Sequence, residues 1–136
     1  MENKYNNEIV EMLNKLDKLN IEDGLKFLFQ NYFYYENKNS FMYNFLFNNI
    51  MKYMKIDENK VSKYNLNMMD KQIIIKSIYE YNYEKNVSLN KPLLNLLYFL
   101  NNDETDIKIA QSIVNEYLEQ LRLLLKYQEK CLELKK

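Results

Sequence analysis

Apolar residues recur three and four positions apart along almost the whole chain, and strict alternation of apolar and polar residues is never sustained over the length of a strand. This spacing predicts amphipathic helices. The predicted helices cover about 7–19, 22–35, 41–54, 57–63, 67 or 70 to 83, 93–100, and 105 or 106 to 134. The pattern therefore predicts an all-α fold, a single-domain bundle of about six to seven helices over residues 1–136.

Short polar side chains precede most of these segments. They are candidate N-caps, because their oxygens can accept hydrogen bonds from free backbone N–H groups at a helix start. The candidates are Asn39 or Ser40, Asp57, Asn67 or Asp70, Ser88 or Asn90, and Thr105 or Asp106. Pro92 fits the first turn of the helix that it opens, where its missing N–H does no harm.

Segment 93–100 is apolar on nearly all sides. A helix of this kind is normally wrapped by its neighbours, so we predict that it is the central helix of the bundle. The run Ile73-Ile74-Ile75 is rich enough in β-branched residues to leave a strand as a minority alternative at that point.

The last predicted helix carries an apolar stripe at heptad-like spacing from Val114 to Leu132. This stripe either packs inside the domain or is partly left over for a second subunit. The seven methionines leave a similar choice between filling the core and forming an adaptable binding surface, and we prefer the core.

Composition removes most catalytic chemistry. The chain has no histidine, a single cysteine (Cys131), a single glycine (Gly24) and a single arginine (Arg122). Histidine-based catalysis, metal sites built on imidazole or paired thiolates, and glycine-rich phosphate loops all need residues that are missing. We therefore predict a non-enzymatic protein with no cofactor and no metal.

The net charge and the targeting signals bear on the class of partner and on the location of the protein. Lys plus Arg and Asp plus Glu both number 19, so the net charge is zero and a nucleic-acid partner is not predicted. One cysteine cannot form an internal disulfide, which fits a reducing compartment. Without a signal-peptide pattern or an apolar run of about 20 residues, we expect no membrane span and an intracellular, cytoplasmic protein, or one at the mitochondrial surface if an anchor follows the chain.

A central apolar helix surrounded by about six amphipathic ones resembles the Bcl family of apoptosis regulators. The small size and the heavy use of Asn, Lys, Tyr and Ile look like the poxvirus members. The stretches that carry the resemblance are 35–54, with its Met42-Tyr43 and Ile50-Met51 pairs, 87–91 running into 93–100, and the closing Gln128-Glu129-Lys130-Cys131. The Asn-Trp-Gly-Arg signature of the cellular family is absent.

The resemblance implies a hydrophobic groove, formed by the second to fifth helices, that captures an amphipathic helix from a pro-apoptotic protein. The implied lining is Phe41, Phe45, Ile50 and Met54 on one wall with Leu89, Leu93 and Leu97 on the floor. Lys85 or Lys91 would stand in for the arginine with which the family pairs an Asp of the ligand.

The function implied by the resemblance is that of a viral Bcl-like inhibitor of apoptosis, or of a relative with the same fold that binds signalling adaptors. The alternative is a small helical subunit or adaptor of a larger assembly, including a homodimer. In that case the long C-terminal helix would be the interface.

Overall fold

A computed structural model describes residues 3–35, 38–103 and 106–134. Within these ranges the chain forms helices and no strand, so the all-α prediction is confirmed. The helices are α1 (Asn3–Asp17), α2 (Ile21–Tyr35), α3 (Ser40–Tyr53), α4 (Glu58–Val61), α5 (Met68–Tyr83), α6 (Asn90–Leu100) and α7 (Ile107–Leu134), with a 3₁₀ turn at Val87–Leu89. The triple isoleucine lies inside α5, and the alternative of a strand there is wrong.

The chain divides into two compact units, Met1–Lys55 and Ile56–Lys136. The first contains α1 to α3 and the second contains α4 to α7. That all seven helices belong to a single domain stays a prediction.

In the first unit, α2 packs closely against α3. Gly24 of α2 lies against the ring of Tyr53 of α3, and a Cβ at position 24 would come within 2.7 Å of the Tyr53 hydroxyl. The single glycine of the chain thus allows the two helices to approach. Tyr35 of α2 reaches α1, because its hydroxyl donates a hydrogen bond of 2.7 Å to Oε2 of Glu8.

The buried face of α3 differs from the predicted one. The apolar spacing in the sequence predicts an inward face of Phe41, Met42, Phe45, Leu46, Ile50, Tyr53 and Met54. The buried residues of α3 are instead Met42, Tyr43, Leu46, Phe47, Ile50 and Met51. Large apolar residues surround most of this helix, so its periodicity is compatible with either set as the buried face. The packed face is the one on which three adjacent pairs recur at intervals of four, which are neighbours on a helix.

The second unit contains three longer helices, in which α7 contacts both α5 and α6. The N–H of Asn65, just before α5, donates to Oε1 of Gln111 at 2.8 Å, and Lys76 of α5 pairs with Glu129 further along α7. Helix α5 therefore runs parallel to α7. Helix α6, joined to its neighbours by short connections, runs in the opposite direction.

Helix α4 is tied to the end of α6 by polar contacts. The Asp57 N–H donates to Oδ1 of Asn101 at 3.1 Å, and Lys60 Nζ donates to the Asn101 carbonyl at 3.3 Å. The Tyr64 hydroxyl donates to the Phe99 carbonyl at 2.6 Å. The bonds from Lys60 and Tyr64 go to backbone carbonyls at the end of α6, and the Phe99 carbonyl also accepts the Asn102 N–H.

The expectation that segment 93–100 is enclosed on all sides needs correction. Pro92, Leu93, Leu96 and Leu100 of α6 are buried, but Leu94 is 51% exposed and Tyr98 is 64% exposed. These last two residues are four positions apart and form one outward flank. Helix α6 is therefore amphipathic in its packing although its sequence is apolar nearly all round.

Most of the predicted caps are confirmed. Asn39, Asp57 and Asn67 accept backbone hydrogen bonds at the starts of α3, α4 and α5, and Asp70 completes a capping box with Asn67. Asp106 accepts from the N–H groups of Lys108 and Ile109, while the alternative Thr105 lies outside the described residues. Neither Ser88 nor Asn90 caps α6: a 3₁₀ turn leads directly into it, and Leu89 occupies the cap position.

Candidate protein-binding surfaces

The wall of the predicted groove in the first unit is not a single face. Phe41 is exposed and Phe45 is half-buried, whereas Ile50 is fully buried. Phe41 and Ile50 are nine positions apart, which at about 3.6 residues per turn places them on opposite sides of α3. Met54 is half-buried just after the helix and lies nearer the side of Ile50. The structure therefore does not bring these four residues together as one lining.

The predicted floor residues, all in the second unit, do share a face. Leu89, Leu93 and Leu97 follow one another at intervals of four, but Leu89 and Leu93 are fully buried and Leu97 is half-buried. Lys85 is exposed in a left-handed turn (φ 50°) directly after α5. A ligand could touch Leu89 and Leu93 only after these buried side chains had become accessible.

An open apolar groove does exist in the second unit, where α6 ends and α7 begins. Its volume is about 390 Å³. The lining residues are Tyr98, Phe99, Asn102, Asp106, Ile109, Ala110 and Ile113. Tyr98 stands on the α6 rim, and Ile109, which is 60% exposed, stands on the α7 rim. We call this surface the α6–α7 groove.

Packing and capping hold the walls of the α6–α7 groove in place. The rings of Phe99 and Tyr117 stack across the two helices with centroids 6.2 Å apart. The Asp106 carboxylate accepts the N–H groups of the first turn of α7, which orients the α7 wall. Asp106 places a carboxylate in the groove lining at this end, next to the N–H groups of the helix start that its charge complements.

The sequence contains a pattern of apolar residues that indicates this groove. Tyr98 and Leu94 are four positions apart, and so are Ile109 and Ile113. Ile109 and Ile113 lie outside the predicted stripe of the last helix and mark a second apolar face on it, and Leu94 and Tyr98 mark an outward face of α6. Because 93–100 was predicted to be enclosed on nearly all sides, no exposed face was predicted at Leu94 and Tyr98.

The predicted interface stripe of α7 is used within the second unit. Val114, Leu118, Leu121 and Leu125 are buried, and the side chain of Leu132 lies outside the described residues. The opposite side of α7, which we call the outer face, keeps Leu123 and Tyr127 exposed among charged residues. A shallow depression of about 460 Å³ on this side is lined by Leu123, Leu124, Lys126, Tyr127 and Lys130.

The first unit has a smaller, polar pocket between α1 and α2. Its volume is about 230 Å³, and its lining is Glu8, Glu11, Met12, Lys15, Phe27, Asn31 and Tyr35. The hydrogen bond to Glu8, followed by burial, raises the pKa of Tyr35 to about 12. Lys15 lies over the Phe27 ring, with Nζ 5.1 Å from its centroid, and the Asn31 amide donates to the Phe27 carbonyl. Among the polar side chains here, Tyr35 and Glu8 pair with each other, whereas Lys15 and Asn31 contact Phe27.

Reactive groups are sparse where the structure can be described. Over residues 3–35, 38–103 and 106–134, no three His, Cys, Asp or Glu side chains lie close enough to hold a metal ion. Cys131 is half-buried on α7 and is hydrogen-bonded to the hydroxyl of Tyr127, which raises the pKa of that tyrosine.

Comparison with known proteins gives no match: no family model, no curated protein and no solved structure is similar to the chain. Among the described helices, none is long and apolar enough to cross a membrane.

Proposed function

We propose that the protein is a non-enzymatic protein-binding module that captures an amphipathic helix of a partner. The observation that carries this proposal is the α6–α7 groove, whose rims expose Tyr98 and Ile109. A partner helix with apolar residues three and four positions apart would cover both rims, as in helix-in-groove recognition. Removing this apolar surface from water would drive the association.

The α6–α7 groove also indicates which charge its ligand carries. Asp106 places a carboxylate in the lining, and Asp103 lies exposed nearby in sequence, paired with Lys60 at 3.5 Å. A captured helix would therefore gain from a Lys or Arg at this end. The groove implied by the resemblance has the opposite requirement, since Lys85 or Lys91 would face an acidic residue of the ligand.

Within this class of module, we propose the role that the resemblance implies, a viral Bcl-like inhibitor that sequesters pro-apoptotic helices in the cytoplasm. Its support is the all-α fold together with the residues that carry the resemblance. The two grooves differ in what they require. The α6–α7 groove is open as it stands, whereas a groove lined by Ile50, Leu89 and Leu93 requires those buried side chains to become accessible.

A peptide titration tests the proposal. Labelled helical peptides from pro-apoptotic proteins, in matched versions with Lys or Asp at the end next to Asp106, are titrated with the full chain and followed by fluorescence anisotropy. We expect nanomolar to micromolar binding that favours the Lys version. Ile109→Lys should weaken it about tenfold or more, because it places a charge on the apolar rim.

Val87→Lys is the matched control, because Val87 is an equally branched residue that is 82% exposed and does not line the α6–α7 groove. It should leave binding unchanged. Binding that is weakened by Phe45→Ala and not by Ile109→Lys would assign the groove implied by the resemblance instead. No binding by any of these peptides would contradict both grooves.

A further inference from the structure

The outer face of α7 has a regular pattern of exposed residues. Between positions 116 and 127 the exposed side chains are Glu116, Glu119, Gln120, Leu123, Lys126 and Tyr127. These residues follow one another at intervals of three or one, and so form a single strip along the helix. On the opposite side of α7, the buried residues Leu118, Leu121 and Leu125 contact the rest of the second unit.

This strip has the layout of one seam of a coiled coil. Positions 116, 120, 123 and 127 are spaced four, three and four apart, as residues at the contact line of two helices are. Leu123 is 52% exposed and Tyr127 is 68% exposed, so apolar surface remains at the centre and at one end of the seam. Glu119 and Lys126 flank it on the same side, one heptad apart.

Charge along the seam changes sign from one end to the other. Glu116 and Glu119 precede Leu123, whereas Lys126 and Lys130 follow it. Two such helices side by side in parallel would set like charges against each other. An antiparallel pair with its two-fold axis between Gln120 and Leu123 sets each Glu119 against Lys126 of the second copy, and each Glu116 against Tyr127 of the second copy.

We propose that a second copy of this chain docks antiparallel along the outer face of α7, with Leu123 next to the two-fold axis. The occupant is a second copy because the charge pattern complements itself under two-fold rotation. Such isologous contacts are the commonest in homodimers. Glu119 pairs with Arg122 of its own helix in the free chain. In the proposed dimer, Lys126 of the second copy approaches the same carboxylate from across the seam.

This inference is independent of the proposed function. The seam lies on the side of α7 away from its core contacts, and neither Leu123 nor Lys126 lines the α6–α7 groove. Substitutions at Glu119 and Lys126 leave the lining of the α6–α7 groove unchanged, so failure of self-association and failure of the peptide titration are distinguishable.

A charge exchange on the full chain tests the proposal, with sedimentation equilibrium as the measurement. The wild-type chain should show a monomer–dimer equilibrium. Glu119→Lys and Lys126→Glu should each weaken dimerisation about tenfold, because each introduces two repulsive pairs in place of two attractive ones. An equimolar mixture of the two variants should dimerise like the wild type, since every flanking pair is then again of opposite charge.

Lys108→Glu is the matched control, because it reverses an exposed charge on α7 outside the seam at 116–127. It should not change the dimerisation constant, and circular dichroism should show unchanged helix content in all variants. A wild-type chain that is monomeric at every concentration overturns the proposal. So does a dimer that is insensitive to both charge reversals, or one that mixing the two variants fails to restore.

Discussion

At the residue scale, Ser77 combines full burial with a hydroxyl that makes no hydrogen bond. It lies in α5 among Ile74, Ile75 and Ile78, which are also buried. Its Oγ has no hydrogen-bond partner in the part of the chain that the structure describes. A buried polar group that loses its bonds to water without replacing them destabilises the fold.

We predict that Ser77→Ala raises the free energy of unfolding by about 1 kcal/mol, because it removes an unsatisfied hydroxyl and adds a better helix former. Urea denaturation followed by circular dichroism measures the change. Ser112→Ala is the control, since Ser112 is exposed within α7 and reports the gain in helix propensity alone. A gain at Ser77 no larger than that at Ser112 would show that the buried hydroxyl carries no penalty.

At the scale of elements, the hydrogen bond from Tyr35 to Glu8 links the end of α2 to α1. The bond needs a protonated phenol and a charged carboxylate. Because it favours the neutral tyrosine in the folded state, the pKa of Tyr35 rises from 10.0 to about 12. The unfolded chain therefore releases this proton at lower pH than the folded chain, and folding is favoured by this group only while the phenol stays protonated.

The stabilisation from this link should be complete below pH 10 and be lost as the pH rises towards about 12. We predict that Tyr35→Phe lowers the stability of the chain at pH 9. Between pH 10 and 12 the stability of this variant should decrease less steeply than that of the wild type. Urea midpoints across that range measure both effects. Tyr98→Phe, which changes an exposed tyrosine of α6 in the second unit, should follow the wild-type curve. Identical slopes for all three proteins would exclude the linkage.

Helix starts could be predicted from the sequence because capping is local. The capping side chains accept hydrogen bonds from backbone N–H groups only two or three residues away, so each helix start depends on a few adjacent residues. These side chains are Asn39, Asp57, Asn67 and Asp106. Asn20 shows the same chemistry where no cap was predicted: its Oδ1 accepts the Asp23 N–H at 2.8 Å at the start of α2.

The inward faces of helices were harder to predict from the sequence. The α6–α7 groove could not be predicted for the same reason. Where apolar residues surround a helix, as with Phe41 and Phe47 in α3 or Leu94 and Leu96 in α6, periodicity permits more than one buried face. Contacts with other helices then decide which face is buried. The open groove at Tyr98 and Ile109 depends on how α6 crosses α7, and no local pattern specifies that crossing.

At the scale of the whole molecule, the lack of histidine governs the response to pH. No side chain of the chain has an ordinary pKa between those of the carboxyls and that of the thiol. Among the carboxyls, burial raises the pKa of Glu80, and Glu84 and Glu129 nearby raise it further while Lys76 opposes them. Neutral Glu80 is thus favoured by folding, and this contribution is lost as the pH rises through the raised pKa.

Above that point the numbers of protons bound by the folded and unfolded chains should be equal until the thiol and the amines begin to titrate. We therefore predict that, in a Glu80→Gln variant, the free energy of unfolding changes by less than about 0.5 kcal/mol between pH 6 and 7.5. Glu80→Gln removes the carboxyl with the raised pKa, so its stability should stay level to lower pH than that of the wild type. Urea denaturation of both proteins at half-unit intervals of pH measures this, and a steady slope of more than about 1 kcal/mol per unit in the Glu80→Gln protein would require a titrating group that the composition does not contain.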